Sequence, residues 1–231
     1  MSGSQDWPRT EAEALAVQDS LRTQVEETDQ SPAPGAAGTI AVGLDVAYDD
    51  ARDVVAAAAV ALDAATLEVV EEATATGRVA FPYVPGLLAF REIPALRDAL
   101  DELGRRLGRA PDLLVCDGYG RAHPRRFGLA SHLGVLTGLP VIGVAKNPFV
   151  FRHGVVGPDR GDSAALLDGT EEVGRALRTR RGVKPVFVSV GHRVSLDSAC
   201  AHTLSLAPDY RLPETTRRAD ALCRRALRES A

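Results

Sequence analysis

The sequence predicts an α/β domain built around a mixed sheet, and two observations lead to this fold class. Three strand-like runs follow one another directly, over 39–48, 53–63 and 66–79, with short polar breaks between them. Segments with helical periodicity and short buried runs then alternate, beginning with 86–107 and 112–118. Strands that follow one another without an intervening helix favour an antiparallel meander, so the sheet should open with three antiparallel strands.

Residues 1–38 precede this pattern, and they predict a helix followed by a linker. Proline is acceptable in a first helical turn. Apolar side chains recur at helical spacing over 8–27, namely Ala14, Val17, Leu21 and Val25. The Ser-Pro-Ala-Pro-Gly run at 31–35 is typical of a linker. We therefore expect an N-terminal segment over 1–38 and a single domain over 39–231.

Two of the expected elements are ambiguous. The second strand, 53–63, is so rich in alanine that a helix would suit it equally well. Pro94 lies inside the helix predicted over 86–107 and predicts a kink or a break there. The region 150–195 is less regular. The remaining elements are a helix over 129–136, strands over 139–146 and 183–194, and helices over 195–206 and 213–227.

Composition places the chain among ordinary globular proteins. Hydrophobic residues make up 45% and charged residues 25% of its 231 residues, which is enough for one well-buried core. No apolar run is long enough to cross a membrane, and the N-terminus lacks the basic and apolar regions of a secretory signal. Three cysteines at irregular spacing match neither a disulfide framework nor a zinc site, which suits the reducing cytoplasm.

Charge is distributed unevenly along the chain. The net charge is −4, but residues 1–38 contribute −5, so the remaining residues sum to +1. Basic residues cluster within 121–126, within 178–184 and near the C-terminus. Such clusters can follow a phosphate backbone. A solvated surface rich in arginine explains them equally well.

Four acidic residues lie close to the points where the chain changes element. Asp45 lies in the apolar run AVGLDVAY, where a carboxylate is costly to bury unless it is paired or binds a cation. Asp117 ends a predicted strand, and Glu92 and Asp220 lie on predicted helices. Oxygen ligands of this kind suit Mg²⁺ or Mn²⁺, which assist displacement at phosphorus. A simpler explanation stays open, since strand-end aspartates often cap turns and helical glutamates are often solvated.

The stretch FPYVPGLLAFRE, over 81–92, places two prolines just before a predicted helix. Proline fixes its own φ and favours an extended residue before it. Pro82, Tyr83, Val84 and Pro85 should therefore form a stiff, protruding turn with an aromatic ring near its tip. The alternative is a tyrosine that packs half-buried in the core.

Six motifs together resemble the endonuclease V family of deoxyinosine-directed repair nucleases. In chain order they are GLDVAY, PYVPGLLAFRE, DGYGRAHPRRFGLASHLGV, GVAKNPF, VSVGHRVSLDSA and YRLPETTRRAD. They appear in the family's order and at compatible separations across residues 8–226. The resemblance implies an RNase H-like fold, in which a mixed central sheet of three antiparallel strands and then parallel strands is flanked by helices. Residues 39–231 would then be an endonuclease domain.

The resemblance also implies roles for the acidic residues and for one lysine. Asp45, Glu92 and Asp117 match residues that bind Mg²⁺, with Mn²⁺ as a substitute. Asp220 matches a fourth metal-site position, at which the family has aspartate or histidine. Lys146, in GVAKNPF, matches a lysine near the active site that would stabilise phosphate charge. The expected catalytic residues are therefore Asp45, Glu92, Asp117 and Lys146.

The resemblance further implies how a lesion would be recognised. The turn at 82–85 matches a wedge that fills the gap left when a base leaves the double helix. The expected residues of the pocket for the flipped base are Gly86, Gly118, Gly120 and His123. The residues expected along the DNA backbone are Arg125 and His132, of which His132 could equally be structural. Tyr119 receives no role.

The function implied is that of a Mg²⁺-dependent endonuclease acting on DNA that contains deoxyinosine. It would cut the second phosphodiester bond 3′ to the lesion and leave a 3′-hydroxyl and a 5′-phosphate. A monomer is expected because the sequence shows no additional apolar surface element. The alternatives are a ribonuclease for inosine-containing RNA and a non-catalytic protein that binds inosine. A small-molecule phosphotransferase is disfavoured because the chain lacks a glycine-rich loop of the GxxxxGK[ST] type.

Overall fold

The structure, a computed structural model, describes residues 7–230, and this part of the chain contains nine strands in one sheet and five α-helices. The strands are β1 (Ile40–Asp49), β2 (Val54–Asp63), β3 (Val69–Arg78), β4 (Leu113–Cys116), β5 (Val141–Ala145), β6 (Arg152–His153), β7 (Ser163–Asp168), β8 (Glu171–Leu177) and β9 (Val186–His192). The helices are α1 (Glu11–Leu21), α2 (Leu88–Leu107), α3 (Leu129–Thr137), α4 (Leu196–Ser205) and α5 (Glu214–Glu229). None of these helices is long and apolar enough to span a bilayer. The predicted α/β class is confirmed.

The sheet has the strand order β3-β2-β1-β4-β5-β9-β8-β7-β6. β1, β2 and β3 are antiparallel neighbours, as predicted, and β4 and β5 run parallel to β1. β9 runs antiparallel to β5, which adds a second antiparallel part that the sequence did not predict. The strands β6, β7 and β8 extend this part from the region where the sequence pattern was least regular.

Strand β2 shows why an alanine-rich run is a strand in this protein. Its alternating side chains face two different helices. Those that pack in one core cluster with α2 are Val55, Ala57, Ala59 and Ala61. Those that pack in another cluster with α5 are Ala58, Val60 and Leu62. Because burial on both faces and pairing with β1 and β3 outweigh helix propensity, the helix alternative is excluded.

Helix α2 runs without a break through Pro94. A proline inside a helix lacks the N–H that would pair with the carbonyl four residues earlier, which here belongs to Phe90. The indole Nε1–H of Trp7 donates to this carbonyl oxygen at 2.8 Å. The predicted break is therefore absent, and the N-terminal segment supplies the hydrogen bond that the helix lacks.

Helix α5 crosses β1 at Gly43. A Cβ atom at this position would lie 2.1 Å from the backbone of Thr215, so any larger residue would push the helix away from the sheet. The close approach holds α5 over the strand that carries Asp45. It thereby brings Asp220, one and a half turns further along α5, to the same end of the sheet.

Helix α1 is shorter than the helix predicted over 8–27. It begins at a capping box, in which Thr10 Oγ1 accepts a hydrogen bond from the N–H of Glu13 and the Glu13 carboxylate accepts one from the N–H of Thr10. It ends at Leu21, and a single 3₁₀ turn over Arg22–Gln24 follows. Helix α1 therefore ends six residues before the predicted end at residue 27, and Glu26 beyond it bonds to His192 and Arg193 in an irregular conformation.

Residues 25–31, called the strap here, are held by the turn between β9 and α4. The N–H of Arg193 donates to the carbonyl of Glu26, and the N–H of Gln30 donates to the carbonyl of Arg193 at 2.9 Å. His192 Nδ1 accepts a hydrogen bond from the N–H of Glu26 at 3.1 Å. The strap, which includes the end of the helix predicted over 8–27, is therefore bonded to the domain just before the linker predicted over 31–35.

Candidate active site

Three strands and two helices bring the predicted catalytic and metal-binding residues to one place. Asp45 lies in β1, Asp117 directly follows β4 and Lys146 directly follows β5. Because β1, β4 and β5 are parallel neighbours, these residues meet at one edge of the sheet. Glu92 reaches this edge from α2, and Asp220 reaches it from α5. Lys146 forms an ion pair with Asp117, and its Nζ lies 3.9 Å from Asp220 Oδ1.

Burial and mutual repulsion raise the pKa of two of these carboxyl groups. Burial, reinforced by the charge of Asp117, raises the pKa of Asp45 to about 7. Glu92 is only 6% exposed. Its burial, with the charges of Asp45 and Asp117, raises the pKa of Glu92 to about 8. The ionised forms of these groups therefore need positive charge nearby, and the Lys146 ammonium supplies part of it.

The chemistry of this donor set fits a hard divalent cation. Asp45 Oδ2 is buried and has no hydrogen-bond partner, and a carboxylate oxygen in that position is stabilised by a metal ion. Within residues 7–230, no three histidine, cysteine or acidic side chains are arranged as ligands of one ion. Donor chemistry, rather than a preformed coordination shell, supports the metal site predicted at Asp45, Glu92, Asp117 and Asp220. That site stays a prediction.

Two residues that the sequence analysis did not single out hold the predicted catalytic residues in place. The hydroxyl of Tyr48 donates to Glu92 Oε1 at 3.2 Å, and the Arg91 guanidinium packs over the Tyr48 ring at 4.6 Å. Arg211 donates to the backbone carbonyl of Lys146 and so holds the turn after β5. Both lie inside quoted motifs, GLDVAY and YRLPETTRRAD, but only the folded chain shows what they contact.

A cavity of about 220 Å³ opens beside the carboxylates. Its catalytic end is lined by Glu92, Asp117 and Lys146. The residues that line the rest of it include Gly86, Leu88, Gly118, His123, Phe127 and Phe149. The volume is smaller than the roughly 300–1,000 Å³ of sites for drug-sized ligands, so the cavity suits a single ring system such as a nucleobase.

His123 and Phe149 form one wall of the cavity. His123 Nε2 lies 3.0 Å from the carbonyl oxygen of Gly86, and Nδ1 accepts a hydrogen bond from the N–H of Arg125 at 3.2 Å, so the ring is the neutral Nε2–H tautomer. Burial lowers the pKa of His123 to about 4, which keeps it neutral. Its ring stacks on Phe149 with the centroids 5.8 Å apart. Phe149 was missed by the sequence analysis, although it ends the motif GVAKNPF.

Of the three glycines predicted for the base pocket, two line the cavity and one does not. Gly86 and Gly118 line it, and Gly86 has a φ of 84°, a conformation that favours glycine. Gly120 is buried against β9, and its N–H donates to Ser189 Oγ at 2.9 Å. The prediction for Gly120 is therefore corrected: this residue packs the loop onto the sheet, and its backbone donor is already used.

Tyr119 joins the loop after β4 to the turn after β5. Its hydroxyl donates to the carbonyl of Asn147 at 2.7 Å, and its ring centroid lies 5.4 Å from that of Phe149. The residue for which the sequence indicated no role therefore orients the segment that carries Lys146 and Phe149.

The proline turn at 82–85 projects from the domain next to the cavity. Tyr83 is 67% exposed, and both prolines of the turn are exposed as well. Gly86, which ends the turn, lines the cavity directly. The alternative of a half-buried core tyrosine is therefore wrong. The wedge role of Pro82, Tyr83, Val84 and Pro85 fits this position and stays a prediction.

His132, predicted along the DNA backbone, is enclosed in the core. It is 1% exposed, and burial lowers its pKa to about 3, so the ring is neutral. The aromatic rings around it are those of Trp7, Phe90 and Phe127. A contact with phosphate is inconsistent with this position, and the structural alternative for His132 is the one that the fold supports.

Arg125 and the other basic residues of its cluster are largely paired within the protein. Arg125 forms an ion pair with Asp19 of α1 at 2.6 Å, and Arg121 and Arg126 both pair with Glu171 on β8 at 2.6 Å. The expected contact of Arg125 with the DNA backbone would therefore compete with Asp19. These arginines brace the loop after β4, which the charge pattern alone did not indicate.

Known proteins are similar to this chain over nearly its whole length. The family model described as Endonuclease V matches residues 19–221. Endonuclease V from Streptomyces avermitilis is 69% identical to this chain, over 97% of this chain and 95% of its own length. A crystal structure of Endonuclease V from the same organism superposes with a TM-score of 0.93 at 68% identity and covers 97% of this chain and 96% of that chain. Ciona intestinalis Endonuclease V, solved with a 24mer DNA containing an inosine followed by a ribo-adenosine, is 27% identical, with a TM-score of 0.82 over 95% of this chain and 98% of its own. The chain therefore belongs to the endonuclease V family and is a nuclease.

Proposed function

We propose that the protein is a Mg²⁺-dependent endonuclease that recognises deoxyinosine in DNA and cuts the second phosphodiester bond 3′ to it. The observation that supports this most is a single cavity that is lined by Glu92, Asp117 and Lys146, and also by His123 and by Gly86, the residue after the proline turn. A base held in the cavity and a phosphate held at the carboxylates would then be close neighbours on one strand. Inosine-containing DNA in the Ciona intestinalis structures agrees with this assignment.

At the end of the cavity that is lined by Glu92, Asp117 and Lys146, the acidic residues and the lysine would have different roles. Asp45, Glu92 and Asp117 would hold Mg²⁺ or Mn²⁺, with Asp220 beside them. When bound there, such an ion would supply the activation of water and the stabilisation of charge on the phosphate oxygens. Lys146, in reach of Asp117 and Asp220, would place its ammonium group against a phosphate oxygen. Tyr48 keeps Glu92 directed towards the site through their hydrogen bond.

The proline turn at 82–85 and the adjoining cavity wall, formed by Gly86 and His123, would lower the free energy that is needed to take a base out of the double helix. Extrusion costs a few kcal/mol, and less for a mispaired base such as hypoxanthine. The Tyr83 ring would fill the gap in the helix, where stacking on one base contributes about 1–3 kcal/mol. The two prolines fix the turn before binding, so less conformational entropy is lost on contact with DNA.

A nicking assay tests the proposal. A labelled duplex with one deoxyinosine is incubated with wild-type protein in Mg²⁺ or in EDTA, and with Asp45→Ala and Asp98→Ala protein in Mg²⁺. Asp98 is exposed on α2 and serves as the matched acidic control. We expect a metal-dependent nick at the second bond 3′ to the lesion, lost in Asp45→Ala and kept in Asp98→Ala. Tight binding to the inosine duplex without any nick would instead indicate a non-catalytic reader.

Inosine-containing RNA is a second candidate substrate, since the relatives from Ciona intestinalis were solved with a ribo-adenosine after the inosine. Three otherwise identical strands separate the two activities: all-DNA, all-RNA, and DNA with one ribonucleotide 3′ to the inosine. Faster cleavage of the DNA strand supports the deoxyribonuclease assignment. Faster cleavage of both strands that carry a 2′-hydroxyl would assign the protein to inosine-containing RNA.

A further inference from the structure

The side chain of Gln18 connects two residues that line the cavity, Gly86 and Phe127, through hydrogen bonds. Gln18 lies on α1 and has none of its surface exposed. Its Nε2 donates one hydrogen bond to the carbonyl oxygen of Gly86 at 3.0 Å and another to that of Phe127 at 3.2 Å. Gly86 ends the proline turn, Phe127 lies at the end of the loop after β4, and both residues line the cavity.

This bridge allows the two walls little freedom. One nitrogen atom reaches both carbonyl groups only while each lies about 2.7–3.2 Å from it. Gly86 is held a second time, because His123 Nε2 donates to the same carbonyl oxygen at 3.0 Å. The proline turn, the histidine wall and the loop after β4 are therefore tied together at one point.

Packing alone does not account for a glutamine at this position. Gln18 Oε1 is buried and accepts no hydrogen bond from the described residues, and such a buried oxygen costs stability. A leucine would fill a similar volume without that cost. The amide is therefore explained by the two carbonyl groups that its nitrogen holds.

The neighbouring residues of α1 contact the same two parts of the molecule. Asp19 pairs with Arg125 of the loop after β4 at 2.6 Å. Leu15 lines a second groove together with Pro85 of the proline turn and His123. Helix α1 thus contacts both the loop after β4 and the proline turn, the two segments that Gln18 connects.

We propose that Gln18 is a positioning residue that sets the width of the base pocket and thereby its selectivity among purines. The proposal rests on the proposed function, because it assumes that the cavity receives a flipped hypoxanthine. Hypoxanthine carries only hydrogen at C2, whereas guanine carries an amino group there. A pocket of fixed width excludes the larger base, and a pocket whose walls separate admits it.

Two mispaired duplexes and three variants test the proposal. The duplexes carry deoxyinosine or deoxyguanosine opposite the same thymine, so that both target bases are mispaired. Gln18→Leu keeps the volume and removes both donors, whereas Gln18→Glu keeps one donor when its buried carboxyl group is protonated. Gln18→Asn, which keeps the donors but is too short to bridge, replaces Gln18→Leu if that protein does not fold. kcat and KM are measured on both duplexes.

We expect Gln18→Leu to raise the cleavage of the guanosine duplex relative to the inosine duplex at least tenfold in kcat/KM, which corresponds to about 1.4 kcal/mol. The change should come from a lower KM on the guanosine duplex, which the wider pocket admits, with kcat on the inosine duplex altered less than about twofold, because the carboxylates at the other end of the cavity are untouched. Gln18→Glu should lie between wild type and Gln18→Leu.

Thr203→Val is the matched structural control. Thr203 is also fully buried, and its hydroxyl donates to the carbonyl of Ala199 at 2.8 Å, within α4. This variant should lose stability without any change in the ratio of the two substrates. A Gln18→Leu protein with wild-type selectivity overturns the inference alone. Wild-type protein that leaves the inosine duplex uncut overturns the proposed function, and this inference with it.

Discussion

Asp45 shows how a single side chain is held in a state that costs the fold stability. Its Oδ1 accepts a hydrogen bond from the N–H of Val46 at 2.8 Å, whereas its Oδ2 is buried without a partner. Burial and the charge of Asp117 raise the pKa of Asp45 to about 7. The folded state therefore binds this proton more tightly than the unfolded chain does, whose aspartates have a pKa of about 3.9. Protonated Asp45 therefore contributes to the free energy of unfolding. This contribution is complete below about pH 4, and it is lost as the pH rises towards 7.

We predict that Asp45→Asn raises the melting temperature of the metal-free protein at pH 8 while it abolishes nicking. Asparagine keeps the acceptor for Val46 and removes the charge that Asp117 opposes. The expected rise is about 2–4 °C, the effect of about 1 kcal/mol in a chain of this size. Thermal unfolding in EDTA at pH 5 and at pH 8 measures it, and the difference from wild type should be smaller at pH 5.

Asp98→Asn is the control for that experiment, because Asp98 is an exposed acid on α2. Its melting temperature should follow that of wild type at both pH values. If Asp45→Asn melts below wild type at pH 8, the side chain is stabilising as a carboxylate, and the repulsion inferred from its surroundings is absent.

At the scale of an element, helix α2 depends on a residue that is distant in sequence. Pro94 removes one backbone donor from the helix, and Trp7 provides the replacement at the carbonyl of Phe90. The same helix carries Glu92, so its continuity through the proline also determines where that carboxylate lies. The indole ring further stacks with His132 at 5.9 Å between ring centroids.

We predict that Trp7→Phe lowers the free energy of unfolding by about 1 kcal/mol, because the Phe90 carbonyl loses its donor while much of the ring packing is kept. Pro94→Ala returns a backbone N–H to the same carbonyl. In a double-mutant cycle followed by denaturant unfolding, Trp7→Phe should therefore cost less in the Pro94→Ala background than in wild type. Equal costs in both backgrounds would mean that the two donors do not substitute for each other.

For the whole molecule, the N-terminal segment is part of the nuclease rather than a preamble to it. Trp7 bonds to α2, Gln18 to the cavity walls and Asp19 to Arg125. The strap bonds to the turn between β9 and α4, where Asp29 accepts hydrogen bonds from the hydroxyls of Ser195 and Ser198. The boundary predicted between 1–38 and 39–231 separates two parts of one bonded structure.

We predict that a chain beginning at Thr39 loses activity at least about 100-fold, since displacement of a site by about 1 Å has that effect. It should also unfold at a lower temperature, because Ala14 and Gln18 are fully buried in the intact protein. Addition of the peptide 1–38 in trans should restore part of the activity. A truncated chain that cuts as well as the intact protein would show that 39–231 is an independent domain.

Local patterns were sufficient for the antiparallel meander, for α2 and for the strand ends at Asp117 and Lys146. Periodicity and turn residues act between neighbours in sequence, so they are visible before the chain folds. The acidic residues Asp45, Glu92 and Asp220 stood out by their positions along the chain, and the motifs added the roles that are expected of them. The alanine-rich β2 stayed ambiguous between strand and helix, because only its burial against α2 on one face and α5 on the other excludes a helix.

Only the tertiary structure decided which side chains hold these groups and which predicted residues lie elsewhere. Gln18 reaches Phe127 across 109 positions of sequence, and Tyr48 reaches Glu92 across 44. Gly120 and His132 were placed at the DNA by their motifs, but burial puts both in the interior. Such contacts depend on the packing of whole helices against the sheet, and no short stretch of sequence specifies them.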